Sequence, residues 1–441
     1  MATLPVAVYV VAVVAWLYFV SLDMLATGLP LALAAAGAGG GWIGFLAGWM
    51  GLAAMIQRPL LAAWGDRRGH GPLLLLSLAA NLAGALLFAA APHPLTQLVA
   101  RTLQGTSLAG LVVSSQALMA ALAPPARRGR ALALQGLADT GGVLAGTNLG
   151  EWAWNHLGRT GLFGGTAAVV GLALVVAVAA RPWPRLPAGE RGPRRRIARA
   201  SDAALEDPAP PDDAGRPQAA EPPPLGGREA GRWPLPAPFL ILGTLTGMIF
   251  GAALNLTVLH AQAAGFRAGG WLAVFALVAM AARYATGAII DRDGHRPAVG
   301  GAGGGAGGGA AATAAGPGGR IRGLLGSSFG LMAAGETLLA LAASPAAAYG
   351  AAIILAAGYG IAHTVLVAAA VGGAPASRRG VVAAWLANTI DFGVGAGLAV
   401  LGWVLELWGF GGMYGVLAVA GLFGLGLGLA SGRATVRRRA T

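Results

Sequence analysis

The segment Arg58-Pro-Leu-Leu-Ala-Ala-Trp-Gly-Asp66-Arg67-Arg68-Gly69-His70-Gly71-Pro72 returns later in the chain as Arg283-Tyr-Ala-Thr-Gly287-Ala-Ile-Ile-Asp291-Arg292-Asp293-Gly294-His295-Arg296-Pro297. Arg, Asp-Arg, Gly-His and Pro stay in register between the copies. Each copy ends a long apolar run with an arginine, turns at a charged loop containing glycine, and enters another apolar run. That order constrains the chain to a duplicated membrane unit, because no soluble core requires it. A helix needs about 20 apolar residues to cross the hydrocarbon core. Windows of that length fall at 5–27, 41–64, 72–91, 94–122, 129–153, 160–180, 236–259, 269–290, 323–343, 346–371, 380–405 and 410–431. Twelve spans are therefore predicted.

Composition agrees. The 441 residues are 56% hydrophobic and 11% charged, with mean hydropathy +0.67, whereas soluble domains are about a quarter charged. The first run is read as a retained helix, since Met1 to Pro5 carry no basic residue and the run exceeds the about 7–15 residue core of a secretory signal. Cysteine is absent, which excludes disulfides, thiolate metal sites and cysteine nucleophiles. The net charge of +13 could suggest nucleic acid, but its placement points elsewhere. All the basic residues are arginine. Arg58, Arg101 and Arg283 fall inside spans, Arg159 and Arg267 in loops on one side, and the rest in alternate loops, the central linker and the C-terminal tail. The positive-inside rule then predicts a multi-pass protein of the cell (inner or plasma) membrane with both termini cytoplasmic and no nucleic-acid partner.

The expected organisation is an N-terminal six-helix bundle (1–180), a linker (181–235), a C-terminal six-helix bundle (236–431) and a basic tail (432–441). The linker is rich in Pro, Arg, Asp and Glu and cannot bury a core. The arginines between Arg181 and Arg199 read as a solvated tether, with anionic lipid headgroups as a sharper alternative. A glycine-rich insert, 299–319, reads as flexible coil, and no Lys-Ser/Thr pair follows it to make a phosphate cradle. Ala126-Arg127-Arg128-Gly129 parallels Ser377-Arg378-Arg379-Gly380, and Asp139-Thr-Gly141 parallels Asp391-Phe-Gly393. Such a parallel repeat places a binding site near the bilayer midplane between the halves.

These residues resemble the major facilitator superfamily. Gly287, Asp291, Arg292, Gly294 and Arg296 match its Gly-x-x-x-Asp-Arg-x-Gly-x-Arg signature, and Arg101, Gln104 and Gly105 match Arg-x-x-Gln-Gly. The first copy departs at Ala62 and Gly71. The Arg-Pro before the first loop and the Asp-x-Gly of spans 5 and 11 look like the drug and sugar efflux-permease branch. Against that, Thr147-Asn148 stands where the antiporter pattern would have Gly-Pro. The resemblance implies an all-α fold of two six-helix bundles, with spans 1, 4, 7 and 10 lining a cavity. It also implies that Arg58, Asp66, Arg67 and Gly69, with Arg283, Gly287, Asp291, Arg292, Gly294 and Arg296, form gating loops whose aspartates grip helix ends in one state only.

A charge at the bilayer centre costs about 2.5–3.5 kcal/mol on insertion scales, so each one calls for a partner or a role. Asp139 and Asp391 both fall near the midplane, each sharing a helical face with polar or small residues: Gln135, Gly142 and Gly146 for the first, Asn388 and Gly395 for the second. They are either proton carriers or helix-packing residues. Asp23, on one face with Trp16 and Thr27, falls at a depth similar to Arg101, and a pair between them that opens on protonation is the preferred coupling device. Its alternative is a static pair. Tyr359 and His363 at i, i+4, with Trp16, Gln104 and Asn255, are candidate cavity residues. A histidine in a helix is more often a packing residue. Glu336, near the middle of span 9, has no assigned partner.

Secondary active transport is the function these observations favour: proton-coupled export of a small molecule by a monomer, without cofactor, metal or catalytic residues. The alternatives are a metabolite importer, symporter or facilitator and, from another class, a polytopic membrane enzyme, for which no His-x-x-x-His box is present.

Overall fold

A computed structural model describes residues 4–90, 93–124, 127–180, 235–294, 317–372, 374 and 379–437. Among these residues the chain is helical throughout: α1 (Val6–Ala35), α2 (Gly40–Arg68), α3 (His70–Ala90), α4 (Pro94–Leu122), α5 (Arg128–Ala179), α6 (Ala237–Asn255), α7 (Thr257–Ala264), α8 (Ala268–Gly294), α9 (Pro317–Ala340), α10 (Pro345–Gly372) and α11 (Arg379–Arg437). Ten of them are long and apolar enough to cross a membrane.

Two of those ten are too long for one crossing. The 52 residues of α5 and 59 of α11 would make straight rods of roughly 80–90 Å at ~1.5 Å per residue, against a hydrocarbon core of about 30 Å. Each folds back at a glycine in left-handed backbone, Gly158 (φ 62°) and Gly409 (φ 67°), a conformation that costs glycine little because it has no Cβ. Each therefore supplies two spans. A break at Leu256 divides the seventh span into α6 and α7. The twelve predicted spans are thus present, some joined end to end.

Because the spans alternate in direction, the start of α1, the α2–α3 turn and the end of α5 lie at one end of the bundle, called here the terminal end. The opposite, far end holds the turns at 36–39, Gly158, 265–267 and Gly409. Within the N-terminal half α1 packs on α5, and α4 on α2 and α3. Within the C-terminal half α11 packs on α6 and α9, and α10 on α8 and α9. Two seams join the halves, α2 against the first arm of α11 and α5 against α8.

The apolar cores show where the seams are shut. At the far end, Leu25, Leu29, Ile43, Leu46 and Phe163 of the N-terminal half belong to one continuous core with Trp271, Phe329 and Leu355 of the C-terminal half. At the terminal end, Val8, Leu74, Leu118, Ala131 and Ala177 form a separate core of the N-terminal half alone. The halves are fused at the far end and parted at the terminal end. Along the α2–α11 seam the backbones nearly touch, and a Cβ at Gly48 would collide with the Gly395 carbonyl.

Candidate functional site

The parted halves enclose a cavity of about 170 Å³ lined by α5 on one side and α6, α8 and α10 on the other. Its walls are mainly apolar. Phe250 lies parallel to Tyr359 at 4.6 Å between ring centroids, Phe275 packs against both, and Met280 and Leu254 are among the other lining residues. The ionisable side chains among its lining residues are Asp139, Arg283 and Tyr359. Asp139 stands on α5, in the N-terminal half, and its Oδ1 accepts a hydrogen bond from Gln135 Nε2 at 2.7 Å. Arg283 stands on α8, in the C-terminal half, with its guanidinium 5.2 Å from the centre of the Tyr359 ring. Its Nε is buried without a hydrogen-bond partner. Among the described residues no ion pair joins Asp139 to Arg283.

The repeat-related residues behave differently. Arg58 of α2 and Asp391 of α11 meet across the other seam at 2.6 Å, and Arg58 also donates to Asn388 Oδ1 at 3.2 Å. In each seam an arginine of one half thus faces an aspartate of the other. One pair is closed, while the other flanks the cavity.

The remaining candidates are dispersed. Asp23 is buried in mid-helix, packed against α5 beside Gly146. Arg101, 1% exposed, does not reach it. Its guanidinium instead donates to Gln104 Oε1 at 3.0 Å and to Met50 sulfur at 3.6 Å, and lies over the Phe88 ring. The Asp23–Arg101 pair expected from sequence is not formed in this conformation, and Gln104 serves as the partner of Arg101 outside the cavity. Trp16 leans on α5 at Gly141. Asn255 is turned back onto the Gly251 carbonyl at the α6–α7 break, and His363 sits beside Tyr359 with ring centroids 6.1 Å apart. Neither lines the cavity, whose helices are spans 5, 7, 8 and 10, only partly the set implied by the resemblance.

Gly142 and Gly146 pack against α1, and Gly395 against α2, so the faces they share with the two aspartates are packing faces over most of their length. Glu336 lies four residues from the end of α9, near the far end and not at mid-span. It is 1% exposed and its Oε2 has no hydrogen-bond partner.

At the first gating loop, Asp66 is exposed and pairs with His70 of its own loop at 3.5 Å, not with a helix end of the other half. Arg67 is exposed beside it, and Gly69 takes the positive φ of the turn. Gly287 and Gly294 lie near the end of α8. The side chains of Asp291 and Arg292, all of Arg296, the arginines between Arg181 and Arg199 and residues 299–316 of the glycine-rich insert lie outside the described residues.

Sequence reasoning missed two groups. Phe250, Phe275 and Met280 carry no periodicity that separates a cavity wall from a packing face. Glu151 and Glu406 were also passed over. Glu151 Oε1 and Oε2 accept from Ala268 N and Gly269 N at 2.9 and 2.6 Å, and Glu406 Oε2 accepts from Gly41 N at 2.7 Å. A signal existed, because the helices starting near Gly39 and Arg267 lack the Ser, Thr, Asp or Asn that usually caps a helix start.

Duplicated six-span halves, fused at one end around a cavity between them, define a membrane transporter of the two-body type. The family profile of the Major Facilitator Superfamily matches residues 11–319, and the chain belongs to that superfamily. It is a transporter and not an enzyme. Comparison with curated proteins finds no match. Among solved structures it is similar to the nucleoside transporter NupG, at 12% identity and TM-score 0.68 over 96% of this chain and 98% of that one. A POT family transporter in complex with a thioalcohol-conjugated peptide has 12% identity and TM-score 0.68, over 96% and 95%. A bacterial homolog of the human lysosomal transporter Spinster, inward-facing and occupied, has 14% identity and TM-score 0.64, over 96% and 92%. At these identities the likeness concerns the fold.

Proposed function

We propose that this transporter exports a small, partly apolar molecule from the cytoplasm in exchange for protons, with Asp139 as the carboxylate for which substrate and proton compete. The observation that carries the reading is the unclosed Asp139–Arg283 pair flanking the cavity, set beside its closed counterpart Arg58–Asp391. An aspartate and a guanidinium on opposite walls favour a molecule offering a cationic or hydrogen-bond-donating group to one and an anionic or accepting group to the other. The rings of Phe250, Phe275 and Tyr359 suit a flat apolar body between those two ends. A proton and a cationic group cannot occupy one carboxylate together, so substrate loading displaces the proton, and exchange follows from competition.

Alternating access needs the halves to part at either end in turn. The terminal end carries the arginine-rich loops, so the positive-inside rule makes it cytoplasmic. The halves are then parted on the side from which an exporter loads. Asp23 and Arg101 remain candidates for the same proton pathway, Asp391 is the lesser candidate because it is engaged by Arg58, and the gating loops are candidates for control of the terminal end.

The test is proton movement in everted membrane vesicles energised to an acid lumen. Zwitterionic, cationic and anionic aromatic compounds of matched size are added in turn. The reading expects lumen alkalinisation evoked by compounds carrying a cationic group, strongest for the zwitterions. Acidification of the lumen would indicate symport, and silence with every compound would remove proton exchange.

A further inference from the structure

We propose that Glu151 and Glu406 are a reciprocal pair of latches that hold the far end shut, and that they are positioning residues for the conformational step of transport. The first four N–H groups of a helix have no partner within it, and the helix start carries a partial positive charge. Most helices answer this with a side chain of their own at the cap. Here α2 begins after Gly39, which has no side chain to offer, and α8 begins after Arg267, which has no acceptor on its side chain. In both cases the missing acceptor comes from the opposite half of the molecule. Glu151, in the N-terminal half, takes two N–H groups at the start of α8 in the C-terminal half. Glu406, in the C-terminal half, takes one at the start of α2 in the N-terminal half.

The two contacts are related as the halves are. Each glutamate stands on the helix that also carries the midplane aspartate, Glu151 above Asp139 on α5 and Glu406 above Asp391 on α11. Each capped helix also carries the facing arginine, α8 with Arg283 and α2 with Arg58. A seam therefore has two cross-half rungs, a carboxylate on a helix start at the far end and an aspartate facing an arginine nearer the middle. In α2–α11 both are closed. In α5–α8 only the far one is. Opening the far end must part both caps at once and leave both helix starts to water, so the two glutamates bias the population toward the far-end-closed form without touching the cavity. Their placement serves the two-body transport reading above but requires neither its substrate nor its proton.

The absence of cysteine makes the test direct. Two reporters are introduced separately into the full-length protein: Ala47→Cys, at a position 4% exposed within the fused far-end core, and Ala279→Cys, on the cavity wall of α8. Each is labelled with a membrane-impermeant maleimide, Ala47→Cys from the far side and Ala279→Cys from the terminal side, with and without Glu151→Gln and Glu406→Gln. One cap is expected to raise the far-end rate about fivefold, the factor equivalent to ~1 kcal/mol, and the double substitution to raise it further. The cavity reporter should slow in the same variants. A faster rate at both reporters would mean general loosening and would overturn the latch, as would unchanged rates at both. Failure of every transport assay would count against the proposed exchange and leave this result standing.

Discussion

The two seams between the halves are built from equivalent parts and are used differently. Along α2–α11, small residues let the backbones touch at Gly48 and Gly395, and Arg58 and Asp391 close at 2.6 Å. Along α5–α8 the corresponding arginine and aspartate stand on two walls of an aromatic cavity. Duplication supplies symmetric chemistry, and local packing decides which copy becomes a joint and which becomes a site. In the closed pair the two charges face each other, whereas in the open one each faces the cavity.

Substitutions at equivalent positions should therefore have unequal consequences. The largest gap is expected between Arg283→Gln and Arg58→Gln. A charge-assisted hydrogen bond lost at the cavity is worth about 1.5–3 kcal/mol, so Arg283→Gln should weaken substrate binding roughly 10- to 100-fold, while Arg58→Gln should change it by less than about threefold. Equilibrium binding to the purified protein separates them.

Stability should show the reverse order. A double-mutant cycle of Arg58→Met with Asp391→Asn is expected to give a coupling of about 0.5–3 kcal/mol in thermal unfolding. The same cycle for Arg283→Met with Asp139→Asn should give a coupling near zero, since that pair is not formed. Equal couplings would erase the distinction between joint and site.

Gly48→Ala probes the joint by size alone, and overpacking of this kind costs about 1–3 kcal/mol, read as a lower unfolding midpoint with binding retained if the protein still folds. The smallest effect belongs to Gln135→Ala. It removes the hydrogen bond to Asp139 and should shift substrate affinity by only a few-fold, measured by the same binding assay.

Much of this architecture was legible in the sequence. Hydropathy windows give the twelve spans because a bilayer demands a minimum apolar length, and the Arg…Asp-Arg-x-Gly-His-x-Pro repeat gives the duplication. Four of the residues that face one another across the seams, Arg58, Asp139, Arg283 and Asp391, stand out because charge inside a membrane is costly. Their pairing did not stand out, since it joins residues more than 100 positions apart on helices whose rotation no local pattern fixes. Asp23 and Arg101 illustrate the same gap: similar depth suggested a pair, but Arg101 is turned toward Gln104. The Phe250, Phe275 and Met280 lining was hidden for another reason. In a chain whose helices are apolar on every side, a cavity wall has the same composition as a packed face or a lipid-facing one.

The central claim, that the α5–α8 seam works while the α2–α11 seam holds, is tested most directly by substrate-evoked proton flux in vesicles carrying Asp139→Asn or Asp391→Asn, at matched amounts of folded protein. Asp139→Asn is expected to abolish the flux and Asp391→Asn to retain a substantial part of it. Flux lost in Asp391→Asn and kept in Asp139→Asn would contradict the claim.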